Sequence, residues 1–417
     1  MANLSGSERS TNQLITNIGD LVTLAPLVSE SKFSEIRPED LGRLQNAWLK
    51  LENGKIQSYG TGAPPKADAD TIDAKGGLVM PGLIDSHTHP VFAGDRSHEF
   101  CRRLSGATYQ EIAQEGGGIG YTVRETQKAS EEDLLSSTLK RLDRIASYGV
   151  TTAEVKSGYG QTVADEIKLL NVLNRCQEKS SINLEITCLG LHACPKGQDK
   201  EVFITDMTEK LLPIVAEKKL AKWVDGFVEN GYFSVEESNG YFEKAMELGL
   251  KIRVHADEFV DSNAALTASG EWGAASADHL ECTPKEALKV MAENGTVATL
   301  LPGTSLYTGI PYTDAKPFLA NKVPIAVATD YNPGSCILDN IGLAVTLAAL
   351  HCGLDLPTAV ASVTWVAAYS LRLHDRKGAI AKGFDGDLVI YEHDAVEKWL
   401  ADLGRIPPHT ILRSKNI

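Results

Sequence analysis

Cysteine is scarce in this 417-residue chain and nowhere arranged for pairing. The seven residues, Cys101, Cys176, Cys188, Cys194, Cys282, Cys336 and Cys352, are scattered, odd in number and never in a C-x-x-C. That argues against a disulfide framework or a thiolate zinc site and points to a reduced cytoplasm. Positive charge is also short. A net charge of −14 leaves no basic face to neutralise phosphates, so nucleic acid is not an expected partner. Aromatic residues are only 6%, too few to suggest stacking platforms for single strands. No apolar run is long enough to span a bilayer, so no membrane partner is expected. Met1–Thr11 has no apolar h-region, so no secretory signal is expected either. Low-complexity segments, charge blocks and internal repeats are missing as well, which leaves no linker or repeat array to consider.

What remains is a soluble globular composition, 43% apolar and 23% charged, at a length suited to a barrel of about 250 residues plus a companion domain. Residues up to about 80 read as short strands and turns. Asn53–Gly54 between Trp48–Leu51 and Ile56–Tyr59 is a two-residue hairpin signal. Near the other end, Gly383-Phe384-Asp385-Gly386-Asp387 leads into the strand-like Leu388–Tyr391. The middle alternates. Strands are expected at Leu78–Asp85, Val150–Val155, Leu184–Leu191, Trp223–Val228, Lys251–Val254, Ser276–His279, Thr296–Leu301 and Ile325–Ala328. Helical patterns include Glu131–Ser147, Val163–Glu178, Val235–Leu248 and Pro284–Asn294. Eight alternations specify an α/β fold, a (β/α)8 TIM-type barrel. The β-rich ends then pair into a small β-sandwich domain, 1–80 plus 380–417, with the barrel, 81–379, inserted between its halves.

In such barrels chemistry sits at the carboxyl ends of the strands. The first strand ends in Asp85-Ser86-His87-Thr88-His89, and alternate side chains of a strand point the same way, so His87 and His89 project together. Strand two runs into Glu154-Val155-Lys156-Ser157-Gly158-Tyr159-Gly160. The third ends at His192, the fourth at Glu229, the fifth in His255-Ala256-Asp257-Glu258, the sixth at His279 and the eighth in Asp330-Tyr331-Asn332-Pro333-Gly334-Ser335. Any one of these histidines reads more simply as a hydrogen-bonded core or surface residue. Five of the ten histidines converging on one barrel mouth do not. His87, His89, His255 and Asp330 form a nitrogen/oxygen ligand set suited to one zinc or iron ion. Such an ion acidifies water, with Asp330 as proton acceptor, Glu258 as proton carrier and His279 as hydrogen-bond donor to hydroxide or oxyanion.

This constellation resembles the amidohydrolase superfamily over nearly the whole chain. More narrowly, Ala93-Gly94-Asp95-Arg96, Gly116-Gly117-Gly118-Ile119-Gly120-Tyr121, Lys156–Gly160 and Asp330–Ser335 resemble the imidazolonepropionase family. The resemblance implies hydrolysis of 4-imidazolone-5-propanoate to N-formimidoyl-L-glutamate in histidine degradation, by attack of water on the lactam carbonyl, and a homodimer. It also implies that Arg96, Tyr159, His192 and Glu258 contact substrate, and that Asn332, Gly334 and Ser335 surround the product's carboxylate or amide end. Arg96 can take a carboxylate through two parallel hydrogen bonds.

Lys156 invites comparison with the carboxylated lysine that bridges two metals in dihydroorotase-like relatives. That lysine belongs to strand four, where this chain offers Glu229, so a single metal is expected. Glycines 116–118 lack the Lys-Ser/Thr of a phosphate loop and read as a loop near the mouth. Two other readings stay open. A His-x-x-Glu with a later His and Asp also resembles nucleobase aminohydrolases, which release ammonia and have less need of Arg96. A barrel kept only as a scaffold is the other, although such proteins typically lose ligands that are all present here.

Overall fold

The computed structural model describes residues 12–66, 68–107, 111–112 and 116–414; the Met1–Thr11 segment read above lies outside the described residues. Fifteen strands are described. Seven form a mixed sheet: β1 (Gln13–Leu21), β2 (Leu44–Glu52), β3 (Lys55–Thr61), β4 (Asp70–Asp73), β5 (Leu78–Pro81), β14 (Leu388–Tyr391) and β15 (Thr410–Leu412). The terminal β domain expected from sequence is thus one sheet to which both ends of the chain contribute, with β5 antiparallel to β14 and parallel to β1. Asn53 and Gly54 join β2 to β3, both at positive φ, as a type I′ hairpin requires.

The other eight strands run parallel in sequence order: β6 (Leu83–Asp85), β7 (Val150–Lys156), β8 (Asn183–Leu191), β9 (Trp223–Val228), β10 (Lys251–Ala256), β11 (Ser276–His279), β12 (Val297–Leu300) and β13 (Ile325–Val327). This is the expected barrel. The helices Glu131–Ser147, Val163–Lys179 and Val235–Glu247 start at Ser130, Thr162 and Ser234, whose side chains accept the hydrogen bonds of the first-turn amides. Among the described residues no helix is long and apolar enough to cross a membrane.

One expectation is refined. Leu78–Asp85 is not a single barrel strand but is shared, Leu78–Pro81 going to the terminal sheet and Leu83–Asp85 to the barrel, with Gly82 as the joint. At the mouth the first and last barrel strands meet just beyond their ends. Asp85 accepts from Thr329 N and Oγ1 at 3.1 and 2.6 Å, Asp330 N donates to His87 O at 3.1 Å, and His89 N to Tyr331 O at 2.8 Å. The backbone that brings the first and last strand ends together therefore also fixes His87, His89 and Asp330 beside one another.

Candidate active site

Three imidazoles and one carboxylate meet where β6, β10 and β13 end. His87 Nε2 lies 3.2 Å from His89 Nε2, and His89 Nε2 lies 3.4 Å from His255 Nε2. Asp330 Oδ1 is 3.5 Å from Nε2 of both His87 and His89. His87 Nδ1 is 2.7 Å from Asp278 Oδ2, and His255 Nδ1 is 3.0 Å from Asp225 Oδ2. His87 and His255 thus each hold Nδ1 against a carboxylate behind them and turn Nε2 towards His89. Lone pairs and a carboxylate crowded together inside a dry barrel repel one another unless a cation lies between them, so the donor set fits a metal ion. Burial, and next the charge of Lys156, holds His87 well below the usual histidine range. Burial, and next His87, does the same for His89, so both stay neutral and competent as ligands. His279 reaches the same cluster through His87 and His255.

Beneath this ring lies a layer of buried charge that sequence reading did not assemble. Lys156 Nζ is 2.8 Å from both Glu154 Oε1 and Asp225 Oδ2. Arg253 Nη2 is 3.4 Å from Asp278 Oδ2 and donates to Ser86 O at 2.9 Å. Each carboxylate that orients a histidine thus has a cation on the same oxygen. Lys156 is committed to these ion pairs, and both oxygens of Glu229 accept backbone amides, from Asn230 at 2.7 Å and Phe259 at 2.9 Å. The detectable signal was a charged residue inside a strand otherwise apolar enough to be buried, as in Trp223-Val224-Asp225-Gly226-Phe227-Val228.

Above the ring opens a cavity of about 800 Å³. His89, His255, Asp330, His279, Glu258, Arg96, Tyr159, His192, Asn332 and Ser335 line it, ten of the twelve expected site residues. His87 lies in the ring below, and Gly334 does not line the cavity. Gly334 presses against Arg96, where a Cβ would stand 2.0 Å from Nη1, so any larger residue there would displace that guanidinium. Glu258 reaches the cavity because Asp257, at φ 53°, turns the chain back after β10. Burial first, then Glu281, Asp330 and Glu229, raises its carboxyl well above the usual range, which favours its protonated form, 3.8 Å from His279 Nε2. Asp330 accepts from Thr304 Oγ1 at 2.5 Å, and burial lifts it to about 6. His192 Nδ1 donates to Gly158 O at 2.9 Å, which leaves Nε2 as an acceptor, and burial lowers it to about 4.

The Asn332 side chain shapes its own loop. Its Oδ1 accepts from Gly334 N and Ser335 N at 2.8 Å, and its Nδ2 donates to Asp330 O at 2.7 Å. Arg96 Nε and Nη2 are both 2.9 Å from Glu99 Oε2. Glycines 116–118 lead into the helix Ile119–Lys128, Gly118 N donating to the other Glu99 oxygen at 2.9 Å, and Ile119 lines the cavity.

A parallel eight-stranded barrel with a terminal sheet and a buried His/His/His/Asp cluster at its mouth defines an amidohydrolase-type metallo-hydrolase. A model of the amidohydrolase family matches residues 112–414. Imidazolonepropionase of Alkaliphilus oremlandii is 40% identical over 387 residues, covering 91% of each chain. That of Clostridium tetani is 38% identical over 414 residues, covering 97% of this chain and 98% of its own. A crystal structure of a triazine hydrolase variant superposes with a TM-score of 0.76 at 15% identity, over 98% of this chain and 94% of its own, a likeness of fold. The chain belongs to the amidohydrolase family and, within it, to the imidazolonepropionases.

Proposed function

We propose that this chain hydrolyses the ring of 4-imidazolone-5-propanoate to N-formimidoyl-L-glutamate, as a homodimer in the cytoplasm with one zinc or iron ion per subunit. The observation that carries the reading is the three facing imidazole nitrogens and Asp330 beneath a cavity that also holds a buried arginine, in a chain 40% identical to an imidazolonepropionase. His87, His89, His255 and Asp330 would hold the ion, which when bound supplies Lewis acidity for acidifying water and polarising a carbonyl. Asp330, with one oxygen tied to Thr304, accepts a proton from the attacking water. As the water oxygen bonds to the lactam carbon, His279 stabilises the charge that develops on the carbonyl oxygen. The C–N bond then breaks, and the protonated Glu258 gives its proton to the leaving ring nitrogen. Tyr159 and His192, their rings 5.2 Å apart, flank the ring of the substrate, while Arg96 contacts its propionate arm. Asn332, Gly334 and Ser335 form the loop that receives the new carboxylate. The division 1–80 plus 380–417 against 81–379 completes this reading, supported by the joining of both ends in one sheet.

The test is an absorbance assay on freshly generated 4-imidazolone-5-propanoate beside an ammonia assay on cytosine and guanine, with chelator-treated protein as control. Metal-dependent loss of imidazolone without ammonia is expected. Ammonia from a nucleobase without imidazolone turnover would move the function to the aminohydrolases. No activity after reconstitution with zinc or iron would leave a scaffold.

A further inference from the structure

The cavity's positive charge is distributed differently from what the sequence suggests. Arg96 is buried and shares Glu99 Oε2 through two nitrogens at 2.9 Å, so its charge is already balanced inside the wall. Arg103 follows seven residues later, two turns along the helix Ser97–Leu104 that Arg96 caps, and so projects from the same face. It lines the same cavity. Among the described residues it forms no ion pair. Its guanidinium rests instead on an aromatic shelf, 4.9 Å from the ring centre of Tyr307 and 5.7 Å from that of Phe100, the two rings stacked 5.1 Å apart. One Nη1 reaches the Tyr307 carbonyl at 3.5 Å. The shelf restricts the planar fork without neutralising it, and a fork held in place forfeits less freedom when it binds a carboxylate. The acidic groups on the cavity wall, Glu258 and Asp330, offer an anion no countercharge.

We propose that Arg103 is the specificity-determining anchor for the carboxylate of the substrate's side chain, with Arg96 held by Glu99 in a supporting place. The inference rests on the ring-opening reading for the identity of that carboxylate. It requires only that the ligand combine a five-membered nitrogen ring with a short acidic arm.

Titration calorimetry on the metal-loaded protein tests it with two stable probes, 3-(imidazol-4-yl)propanoate and the corresponding primary amide, which share the ring and differ in charge. Wild type is expected to prefer the acid. In Arg103→Met the acid should weaken about tenfold or more while the amide changes less than about twofold, and Arg103→Lys should recover part of the preference. With the natural substrate the same variant should raise KM with kcat little changed. Equal weakening of acid and amide would mean that Arg103 only pins the helix to Tyr307 and would overturn the proposal. So would an undiminished preference for the acid in Arg103→Met, or no preference in wild type. Failure of the ring-opening reading shows elsewhere, as wild-type protein that does not consume imidazolone.

Discussion

In the terminal sheet, β5 and β14 bury Leu78, Val79, Met80, Leu388, Val389 and Ile390, all apolar and all at 0% exposure. In the barrel, β7, β9, β10 and β11 bury Glu154, Lys156, Asp225, Arg253 and Asp278 just as fully. The two regions are equally dry and made of opposite material. Aliphatic burial stabilises wherever it occurs, at about 25 cal/mol per Å², and asks little of neighbouring geometry. Buried charge is different: each ion gives up its hydration, and the pair recovers that loss only with good partners. Here the partners are good, and the two carboxylates left facing upward fix the protons of His87 and His255. The sheet holds the molecule together, while the charged layer holds the lone pairs of His87 and His255 in position.

The largest effect that could break this comparison comes from Lys156. Replacing Lys156 with Met keeps the length of the side chain but strips Glu154 and Asp225 of their shared cation, and the folded state should lose about 3–5 kcal/mol. Denaturant midpoints of the metal-free protein measure it. A loss under about 1 kcal/mol, the scale of a solvent-exposed ion pair, would mean that the charged layer is no more demanding of its partners than the sheet is.

Asp225→Asn comes next. The amide has the volume of the carboxylate but no charge to hold the proton of His255 Nδ1 at 3.0 Å. Metal affinity is expected to fall about 10–100-fold, read by competition with a chromophoric chelator, with a smaller change in the denaturant midpoint than in Lys156→Met. Unchanged affinity would show that β10 alone orients His255 and that the carboxylate serves only as a counter-ion to Lys156.

The strands, the hairpin and the clustering of the candidate ligands were legible because each has a local signal. Alternation with helices marks the barrel, Asn53–Gly54 needs two positive φ values, and His87 and His89 are separated by the strand period. The charged layer was not legible as a unit. Asp225 meets His255 through the register of β9 and β10, and Asp278 meets His87 across the barrel interior, relations that no stretch of sequence carries. Arg103 was missed for a related reason: its neighbours Phe100 and Tyr307 come from helices about two hundred residues apart. The division of Leu78–Asp85 was hidden because a continuous apolar run has no internal period to show where one sheet ends and another begins.

Gly82 is where the two regions join, and it gives the smallest and sharpest test. Its N–H donates to Asp387 O at 2.8 Å on the sheet side, and the next residue already pairs with β7. A Cβ at Gly82 would stand 2.3 Å from Thr151 Oγ1 and 2.5 Å from its Cγ2, closer than side chains approach, and Thr151 is buried with no room to withdraw. Gly82→Ala should therefore cost about 1–3 kcal/mol through overpacking. Thr151→Ala removes the colliding atoms, so the double variant should be more stable than the sum of the single changes predicts. The metal affinity of Gly82→Ala should stay near that of wild type, because His87 and His89 are tied to the end of the last barrel strand through Asp330 and Tyr331 rather than to the sheet. Loss of metal without loss of stability would break the comparison, since it would mean that the joint, and not the charged layer beneath the histidines, sets the position of the site.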